Sequence, residues 1–537
     1  MGDRDSALEA LAPVRDMSMI DGPANAKGTS EPLGQELPLQ GQVRRGLGWS
    51  LTSSLVLRMG SLVLGIVLAR LLTPETFGVY AVALTVQSIL MTLSDLGLSA
   101  DLIRSRDPER RAPTVATLSL ISGFLLAVLM SSIAVPLASA MGAPSAAPVI
   151  VVLSFTLILS GLGVVPYAKL QRNIEQKKLF ATGAADFVVS TSATLLLVLI
   201  GMGPMALAIG RLAAQGTATA LQFVLSRTVP KFALERSLVG SSLRFGLPLA
   251  GANLLSWVLL NIDNVVIARV AGGVALGYYV LAFNISSWPM SAIGTAIRSV
   301  SFAAFSRMNR EREDAGEVGR DAGLATATAF AWAAALPAGA LLAVLSVQLI
   351  QLLYGEQWGP SAPVLAALGL FGALRVVFDL MVTYLMAHGA SRPVFWIQAL
   401  WIVVLTPVLV VATQRFGVQG AGWAHVVVAA AVILPMYLWA LHRVNADLHP
   451  LMGVLWPPLL AGTAAWFAAD LVAKRFDTPI LAVTLGGIAG GLVYIALLYR
   501  WLRRFSTRTK RSGQDDSAEV AKPVEGIKNI ESLGSPP

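Results

Sequence analysis

The chain has 537 residues, of which 55% are hydrophobic and 13% charged, and its formal charge at pH 7 is +9. This composition is too apolar for a soluble protein of this length, so it predicts a polytopic membrane protein. The absence of cysteine excludes disulfides, thiolate metal sites and thiol nucleophiles, and the four scattered histidines do not suggest a metal cluster.

Residues 1–43 are polar, mixed in charge sign and rich in Gly and Pro, which predicts a disordered cytoplasmic tail. Beyond this tail, apolar runs long enough to cross a bilayer recur almost to the end of the chain. They predict an all-α fold of about fourteen membrane helices, at 49–72, 77–100, 112–136, 147–168, 179–201, 203–226, 242–271, 274–302, 321–347, 360–387, 392–413, 419–442, 451–473 and 478–502.

The joins between these predicted helices alternate in charge. Those after helices 2, 4, 6 and 8 each carry at least three Lys or Arg residues, whereas those after helices 1, 3, 5, 7 and 9 carry none. The positive-inside rule therefore explains the excess charge as membrane topology, without nucleic acid, and predicts that both termini are cytoplasmic. Residues 504–537, basic and then acidic, are expected to form a second disordered cytoplasmic tail.

An internal repeat relates the two halves of the chain. Residues Val67–Val86 align without gaps on Val266–Ile285, at an offset of 199, with six identities in twenty positions. They are Val67, Ala69, Arg70, Gly78, Tyr80 and Ala83, matched by Val266, Ala268, Arg269, Gly277, Tyr279 and Ala282. The repeat predicts two related lobes, an N-lobe of helices 1–6 (44–236) and a C-lobe of helices 7–12 (237–445), followed by helices 13 and 14 (446–503). Arg70 and Arg269 lie near helix ends, where snorkelling to the interface is the favoured interpretation.

No sequence pattern indicates bond-breaking chemistry. The chain lacks GxxxxGK[ST], HExxH and GxSxG motifs, and its predicted outer loops are too short to carry a catalytic domain. The predicted function is therefore movement of a molecule, not an enzymatic reaction.

Charged residues inside the predicted helices mark the candidate site, because an ionised side chain at a helix centre costs roughly 2.5–3.5 kcal/mol even on the lenient insertion scale. They are Arg58, Asp95, Asp186, Arg211, Asp263, Arg298, Arg375 and Asp379. Interhelical ion pairs are the alternative to a ligand site. Arg58 with Asp95 on the neighbouring helix, and Arg375 with Asp379 four residues on, are the candidate structural pairs.

Asp263 stands in the sequence NIDNVV, so Asn261, Asp263 and Asn264 offer hard oxygen ligands within one helical turn. This arrangement suggests a site for a coupling cation, such as Na⁺, or for a proton. A structural hydrogen-bond network, or an ion pair between Asp263 and an arginine, is the alternative.

Two segments resemble a known family. Arg70, Leu72, Pro74, Phe77, Gly78 and Tyr80 fit one of its motifs, and Phe245, Gly246, Pro248 and Asp263 fit the second. The chain is similar, over roughly 45–505, to Wzx-type oligosaccharide flippases, the polysaccharide-transporter branch of the multidrug/oligosaccharidyl-lipid/polysaccharide exporter superfamily.

The resemblance implies two six-helix lobes around a central cavity that opens to one side at a time. It also implies export, across the bacterial inner membrane, of an undecaprenyl-diphosphate-linked oligosaccharide for exopolysaccharide, capsule or O-antigen synthesis, with a polymerase and other glycan-assembly proteins as partners. Several of the arginines among Arg58, Arg211, Arg298 and Arg375 would then face the cavity and bind the diphosphate, with Asp95 and Asp379 beside them. A multidrug/toxin cation antiporter of the same superfamily and a transport-inactive membrane scaffold are the alternatives, and the four arginines weigh against the antiporter.

Overall fold

The computed structural model describes residues 57, 59–315 and 322–520. All regular secondary structure within these residues is helical, which confirms the all-α class. The helices that we number here are α1 (Met59–Leu71), α2 (Pro74–Ser94), α3 (Pro108–Ser132), α4 (Ala147–Arg172), α5 (Gln176–Leu199), α6 (Pro204–Ser226), α7 (236–271), α8 (273–315), α9 (Ala322–Val344), α10 (Ser361–Ala387), α11 (391–416), α12 (418–443), α13 (Leu448–Ala473) and α14 (Pro479–Val520).

Two glycines divide long helical stretches into separate helices. Gly272 has φ of +85° between α7 and α8, and Gly417 has φ of +61° between α11 and α12, backbone conformations that only glycine adopts without strain. By length and apolar composition, 10 described segments could cross a membrane, and the stretch Ser391–Arg443 counts once among them. The breaks at Gly272 and Gly417 each divide one of these segments into two helices. Together with the short helix α1 and the less apolar helix α6, the described residues then contain fourteen helical segments, the number that the sequence predicts.

Local sequence signals explain where several helices begin. Thr73 precedes Pro74 and accepts a hydrogen bond from the Thr76 amide through its Oγ1 at 3.3 Å, so it caps α2. Asp107 caps α3 in the same way, ahead of Pro108. Short helices extend three of the numbered ones: Leu98–Arg104 follows α2, Ala134–Ala140 follows α3 and Ser346–Leu353 follows α9.

Some helix boundaries differ from those predicted. The helix α7 begins at Arg236 instead of 242, and α8 continues to Ala315 instead of 302. The helix α14 continues to Val520, so the prediction of disorder from residue 504 is wrong for 504–520. The physical reason is that no proline interrupts this polar stretch, so helical hydrogen bonding continues beyond the apolar run. The predicted tail 1–43 lies outside the described residues.

Apolar side chains cover the outer faces of the helices. Leu199, Leu460 and Leu492, on three different helices, expose 72%, 66% and 63% of their surface. Such exposure is unfavourable in water but suits contact with lipid, where helices satisfy their own backbone polar groups. The chain is a multi-pass membrane protein.

The last two helices lie beside the C-lobe. The helices α13 and α14 pack on each other, and both contact α9. The Trp332 indole of α9 donates to the carbonyl of Leu455 at 3.2 Å, and the Tyr494 hydroxyl of α14 donates to the carbonyl of Ala333 at 2.9 Å. These contacts place α13 and α14 at the periphery, as expected.

The two lobes meet where the uncharged loops lie, which we call the uncharged end. Here the fully buried Trp358 donates from Nε1 to the carbonyl of Ala69 at 2.7 Å. Its ring packs edge-on against Phe77 of the N-lobe and Tyr278 of the C-lobe, with centroids 5.5 and 5.9 Å away. Arg70 does more than snorkel, since its Nε donates at 2.9 Å to the carbonyl of Leu353, the last residue of the short helix Ser346–Leu353. The last carbonyls of a helix have no partner within the helix, and Arg70 supplies one.

The lobes also meet where the basic loops lie, which we call the basic end. The Arg104 guanidinium stacks over the Phe245 ring at 3.5 Å from its centroid. The buried Asp101 accepts hydrogen bonds from Ser242 at 2.9 Å and from Arg111 at 2.9 Å. The two motifs noted in the sequence thus supply lobe contacts at opposite ends of the molecule.

Candidate functional site

Three adjoining cavities run from the lobe interface into the C-lobe. The first, which we call the interlobe cavity, has a volume of about 440 Å³ and is lined by α1 and α8, with Ser61 on one side and Asn284 and Trp288 on the other. The second, the middle cavity, is about 380 Å³ and shares Ser287 and Ser291 with the first. The two cavities therefore lie side by side, the first between the lobes and the second inside the C-lobe.

The third cavity, which we call the C-lobe cavity, is about 220 Å³ and lies among α7, α8, α10, α11 and α12. It shares Phe283, Phe371, Arg375 and Asp379 with the middle cavity. Arg375 therefore stands between two cavities, at the midpoint of α10. Placing a charged guanidinium at this depth in the membrane costs several kcal/mol of free energy unless polar partners or water surround it.

Asp263 is buried in a hydrogen-bonded cluster at the C-lobe cavity, with 5% of its surface exposed. Its Oδ2 accepts a hydrogen bond from the Tyr279 hydroxyl at 2.6 Å and lies 3.7 Å from His425 Nε2. The other carboxylate oxygen, Oδ1, accepts from the Asn264 amide at 2.9 Å. The cluster gathers three proton-bearing or proton-accepting side chains from α7, α8 and α12 in one buried place.

The two asparagines that flank Asp263 make separate contacts. Asn264 donates from its side-chain amide to Asn261 Oδ1 at 3.4 Å, and Asn261 donates to the carbonyl of Trp257 at 3.0 Å. Asn261 lines the middle cavity, whereas Asp263 lines the C-lobe cavity. The cation site expected from the sequence remains a prediction, and in the described geometry Asp263 binds protein donors.

Aromatic rings form the remaining walls of the C-lobe cavity. Trp401 meets Phe371 and Phe378 edge-on, with centroids 6.1 and 5.7 Å apart. The Gln398 amide donates to the Tyr437 hydroxyl at 3.0 Å. Between His425 and Tyr437 the helix α12 contains a π-helical turn at Ala429–Ile433, a local irregularity that is common beside functional sites.

The four-residue spacing of Arg375 and Asp379 suggests an ion pair between them. This pair is not among the ion pairs of the described residues. In that part of the chain, no carboxylate forms an ion pair with the Arg375 guanidinium. Arg375 can thus offer its donors to an anion in the cavity.

Arg211 instead forms an ion pair in the N-lobe. Its Nη1 lies 3.2 Å from Asp186 Oδ2, between α6 and α5. Neither residue lines the three cavities. The geometry therefore favours the structural interpretation of Arg211.

Asp95 has a local role at the end of α2. Its two carboxylate oxygens accept hydrogen bonds from the backbone amide of Ser99 at 3.0 Å and from the Ser99 hydroxyl at 2.6 Å. This is how an Asp satisfies free donors at the start of a helix, here Leu98–Arg104. The proposed partner Arg58 lies outside the described residues, as does the side chain of Arg298.

Four residues of this site are not predicted by the sequence: Tyr279, His425, Gln398 and Tyr437. His425 carried a usable signal, because an ionisable residue within an apolar membrane helix is a functional candidate by default. Tyr279 carried a second signal, since it occupies the repeat position equivalent to Tyr80. The positions of Gln398 and Tyr437 depend on how α11 and α12 pack, which no spacing within the sequence indicates.

Comparison with known proteins shows a family match that covers the N-lobe from residue 67 and the first helices of the C-lobe. Residues 67–363 match a family model described as "Polysaccharide biosynthesis protein". The chain is 27% identical over 470 residues to the succinoglycan biosynthesis transport protein ExoT of Rhizobium meliloti (strain 1021), covering 85% of this chain and 92% of that one. It is 25% identical over 378 residues to the lipopolysaccharide biosynthesis protein WzxC of Escherichia coli (strain K12), covering 70% and 76%.

A solved structure has the same fold. The lipid II flippase MurJ, in its inward closed conformation, superimposes with a TM-score of 0.70 over 85% of this chain and 99% of that one, at 13% sequence identity. At this identity the similarity establishes the architecture, two lobes with peripheral helices, and leaves the ligand to be argued from the residues.

Proposed function

Because the chain belongs to the polysaccharide biosynthesis protein family, we propose that it moves a lipid-linked oligosaccharide across the bacterial inner membrane for synthesis of an exported polysaccharide. The carrier is undecaprenyl diphosphate, and the direction is from the cytoplasmic to the periplasmic leaflet. The relatives, named for succinoglycan transport and lipopolysaccharide biosynthesis, support a glycan as the cargo.

The observation that carries the proposal is the position of Arg375. A guanidinium at the midpoint of a membrane helix, beside two cavities and without a carboxylate partner in the described residues, is suited to a bidentate anion. A diphosphate offers such an anion, and an arginine cannot lose its charge on burial. The aromatic rings of Trp401 and Trp288 offer faces on which sugars can stack.

Movement of the cargo requires that the lobes separate at one end at a time. Their contacts at the uncharged end and at the basic end are compact and distinct, one centred on Trp358 and the other on Asp101 and Phe245. Breaking one set while keeping the other opens the interlobe cavity to a single side, which is alternating access.

The cluster of Asp263, Tyr279 and His425 is proposed to couple transport to a cation gradient, with a proton as the favoured ion. A carboxylate and an imidazole 3.7 Å apart can hold a proton between them, and both lie at the cavity that holds Arg375. Release of the proton would change the charge near the anion site. Na⁺ is the second candidate, through the oxygens of Asp263 and Asn261.

The alternative, an antiporter of organic cations, requires a cavity dominated by carboxylates. Among the described residues the lining instead combines Arg375 and His425 with Asp263 and Asp379. We place both termini and the basic end in the cytoplasm by the positive-inside rule. A polymerase that extends the exported glycan is the expected partner.

The experiment uses a strain that lacks this gene and makes a labelled lipid-linked oligosaccharide. Without the protein, the labelled precursor should accumulate where an added periplasmic glycosidase cannot reach it, and the intact gene should restore cleavage. An Arg375→Gln variant should reach the membrane in wild-type amount and leave the precursor protected. Wild-type cleavage with Arg375→Gln, or cleavage without any protein, would contradict the proposal.

A further inference from the structure

An open cavity of about 590 Å³ lies at the basic end of the N-lobe, away from the cavities described above. It is formed by the start of α3, the last turns of α4 and α6, and the connection 227–235 between α6 and α7. Its lining includes no residue of α1 or of any C-lobe helix, and it shares no residue with the interlobe, middle or C-lobe cavities. It is therefore a separate site within the N-lobe.

The rim of this cavity is basic. Lys169, Arg172, Arg227 and Lys231 line it, with Glu109 as the single acidic residue. Within the described residues, Lys169, Arg227 and Lys231 form no ion pair. Arg172 is held in place, because its Nη1 donates to the carbonyl of Ile103 at 3.0 Å. Three unpaired cations around one opening favour a ligand with a phosphate group.

The deep wall is apolar. Ala116, Leu162, Val165 and Phe223 contribute to it, so the cavity combines a cationic mouth with a hydrocarbon interior. That pairing matches an amphiphile whose charged head lies at the membrane surface and whose chains lie below it.

The connection 227–235 supplies an independent observation. It is non-helical, yet Val229, Phe232 and Leu234 expose 70%, 51% and 54% of their surface. The backbone of this connection is fixed to α3, since the Thr117 hydroxyl donates to the carbonyl of Ala233 at 3.0 Å and the Glu235 amide donates to Thr114 Oγ1 at 3.2 Å. Fixed apolar side chains beside Arg227 and Lys231 are suited to insertion at the boundary between headgroups and acyl chains.

Arg227 has an unusual backbone conformation. It ends α6 in the left-handed region, with φ of 50° and ψ of 41°, where non-glycine residues are uncommon. A glycine or asparagine would end the helix with less strain. The arginine at this position, with its guanidinium at the cavity, indicates a use for its charge.

We propose that this cavity binds an anionic glycerophospholipid of the surrounding leaflet, with the phosphate held by Lys169, Arg227 and Lys231. The acyl chains lie against the apolar wall and against Val229 and Phe232. The site is distinct from the transport path, and it would anchor the connection between the lobes to the membrane surface. Its test measures lipid binding alone, so its failure and the failure of the proposed transport function are distinguishable.

The test compares binding of dioleoylphosphatidylglycerol and dioleoylphosphatidylcholine to the purified full-length protein by native mass spectrometry. In the triple variant Lys169→Gln, Arg227→Asn, Lys231→Gln, affinity for phosphatidylglycerol should fall by roughly fivefold for each cation removed, while affinity for phosphatidylcholine stays constant. Asparagine is chosen at 227 because it tolerates the left-handed backbone. The matched control, Arg106→Gln, Arg244→Gln, Arg392→Gln, removes the same charge from the same end and should retain the preference for phosphatidylglycerol.

Unchanged phosphatidylglycerol affinity in the first triple variant, or an equal loss in the control, would overturn the proposal. A second measurement does not depend on the variants folding: a photoreactive diazirine phosphatidylglycerol should crosslink the wild-type protein within 223–234. Crosslinks confined to other segments would refute the site. Displacement of the crosslinking lipid by undecaprenyl phosphate, but not by excess phosphatidylglycerol, would assign the cavity to the carrier lipid and also refute the proposal.

Discussion

Gly277 packs directly on Gly78, the glycine at the equivalent position of the internal repeat. A Cβ atom on Gly277 would lie 3.1 Å from the Gly78 Cα, and a Cβ on Gly78 would lie 2.3 Å from the carbonyl oxygen of Gly273. The helices α2 and α8 therefore cross backbone to backbone at the uncharged end. Small residues permit this close approach of membrane helices, so the contact gives a reason for glycine at both repeat positions.

Substitution of Gly78 by alanine should separate the lobes at this crossing. The added methyl meets backbone that cannot rotate away, so we expect destabilisation of about 1–3 kcal/mol and loss of export. Thermal unfolding of the purified protein and cell-surface glycan would measure the two effects. Gly251→Ala is the control, because no heavy atom lies within 4 Å of the added methyl. Wild-type melting and export with Gly78→Ala would show that the crossing is not tight.

Charge removal should separate the roles of Arg375 and Arg211. Arg211→Gln should lower protein abundance by breaking its pair with Asp186, worth about 1–2 kcal/mol between membrane helices, and Asp186→Asn should restore both abundance and export. Arg375→Gln should leave abundance intact and abolish export, and adding Asp379→Asn should not restore it. Quantitative immunoblots of membranes and surface-glycan assays give the readouts. Rescue of export in the Arg375→Gln, Asp379→Asn double variant would make these charges structural.

Tyr279→Phe should destabilise the C-lobe, since it removes the donor to a buried carboxylate, at a cost of about 1.5–3 kcal/mol. In an Asp263→Asn background the same substitution should cost less, because the neutral amide depends less on a charge-assisted donor. Chemical denaturation of the four proteins of this cycle would provide the coupling energy. A coupling energy near zero would argue against a charged Asp263 that depends on Tyr279.

Single cysteines in this cysteine-free chain test the orientation. At Ser145 or Met202, at the uncharged end, a cysteine should react with an impermeant thiol reagent added to whole cells, whereas at Arg106 it should react only after permeabilisation. We choose Met202 over the adjacent Gly203 because Gly203 has φ of +55° and a cysteine there would be strained. The reverse labelling pattern would invert the topology and the direction of transport.

The contact between Arg110 and Glu235 should depend on pH. The hydrogen bond from Arg110 lowers the pKa of the Glu235 carboxyl below its ordinary value of 4.5. Because the folded pKa is lower than the unfolded one, the contact contributes fully above the unfolded pKa and is lost as the pH falls through the folded pKa. The protection factors of amides in the connection 227–235, that is, the intrinsic exchange rates at each pH divided by the observed rates, should therefore fall in the wild type as the pH drops through the folded pKa of Glu235.

The matched variant for this test is Glu235→Gln, which keeps the shape of the side chain but cannot ionise. Its protection factors in this segment should be lower than those of the wild type at pH 7 and should not fall further at acid pH. An acid response as large in Glu235→Gln as in the wild type would assign the effect to another group.

The sequence predicted the helical class and the positions of most helices, because a bilayer requires long apolar runs with satisfied backbone groups, and such runs are visible in composition and spacing. It also determined the two related lobes, through the repeat of Arg70, Gly78 and Tyr80 at Arg269, Gly277 and Tyr279. The sequence also indicated Asp263, Arg375 and Asp379 as candidate site residues, because an ionised side chain inside an apolar membrane helix is energetically unfavourable. These three do line one cavity.

Which charges face each other depends on the packing of the helices in three dimensions. Asp95 and Arg211 satisfied the same cost argument as Arg375, yet one caps a helix and the other pairs with Asp186. Partner choice depends on the rotation and crossing of helices far apart in the chain, which local periodicity does not encode. His425 illustrates the point, since it lies 162 residues after Asp263 in sequence and 3.7 Å from its carboxylate in space.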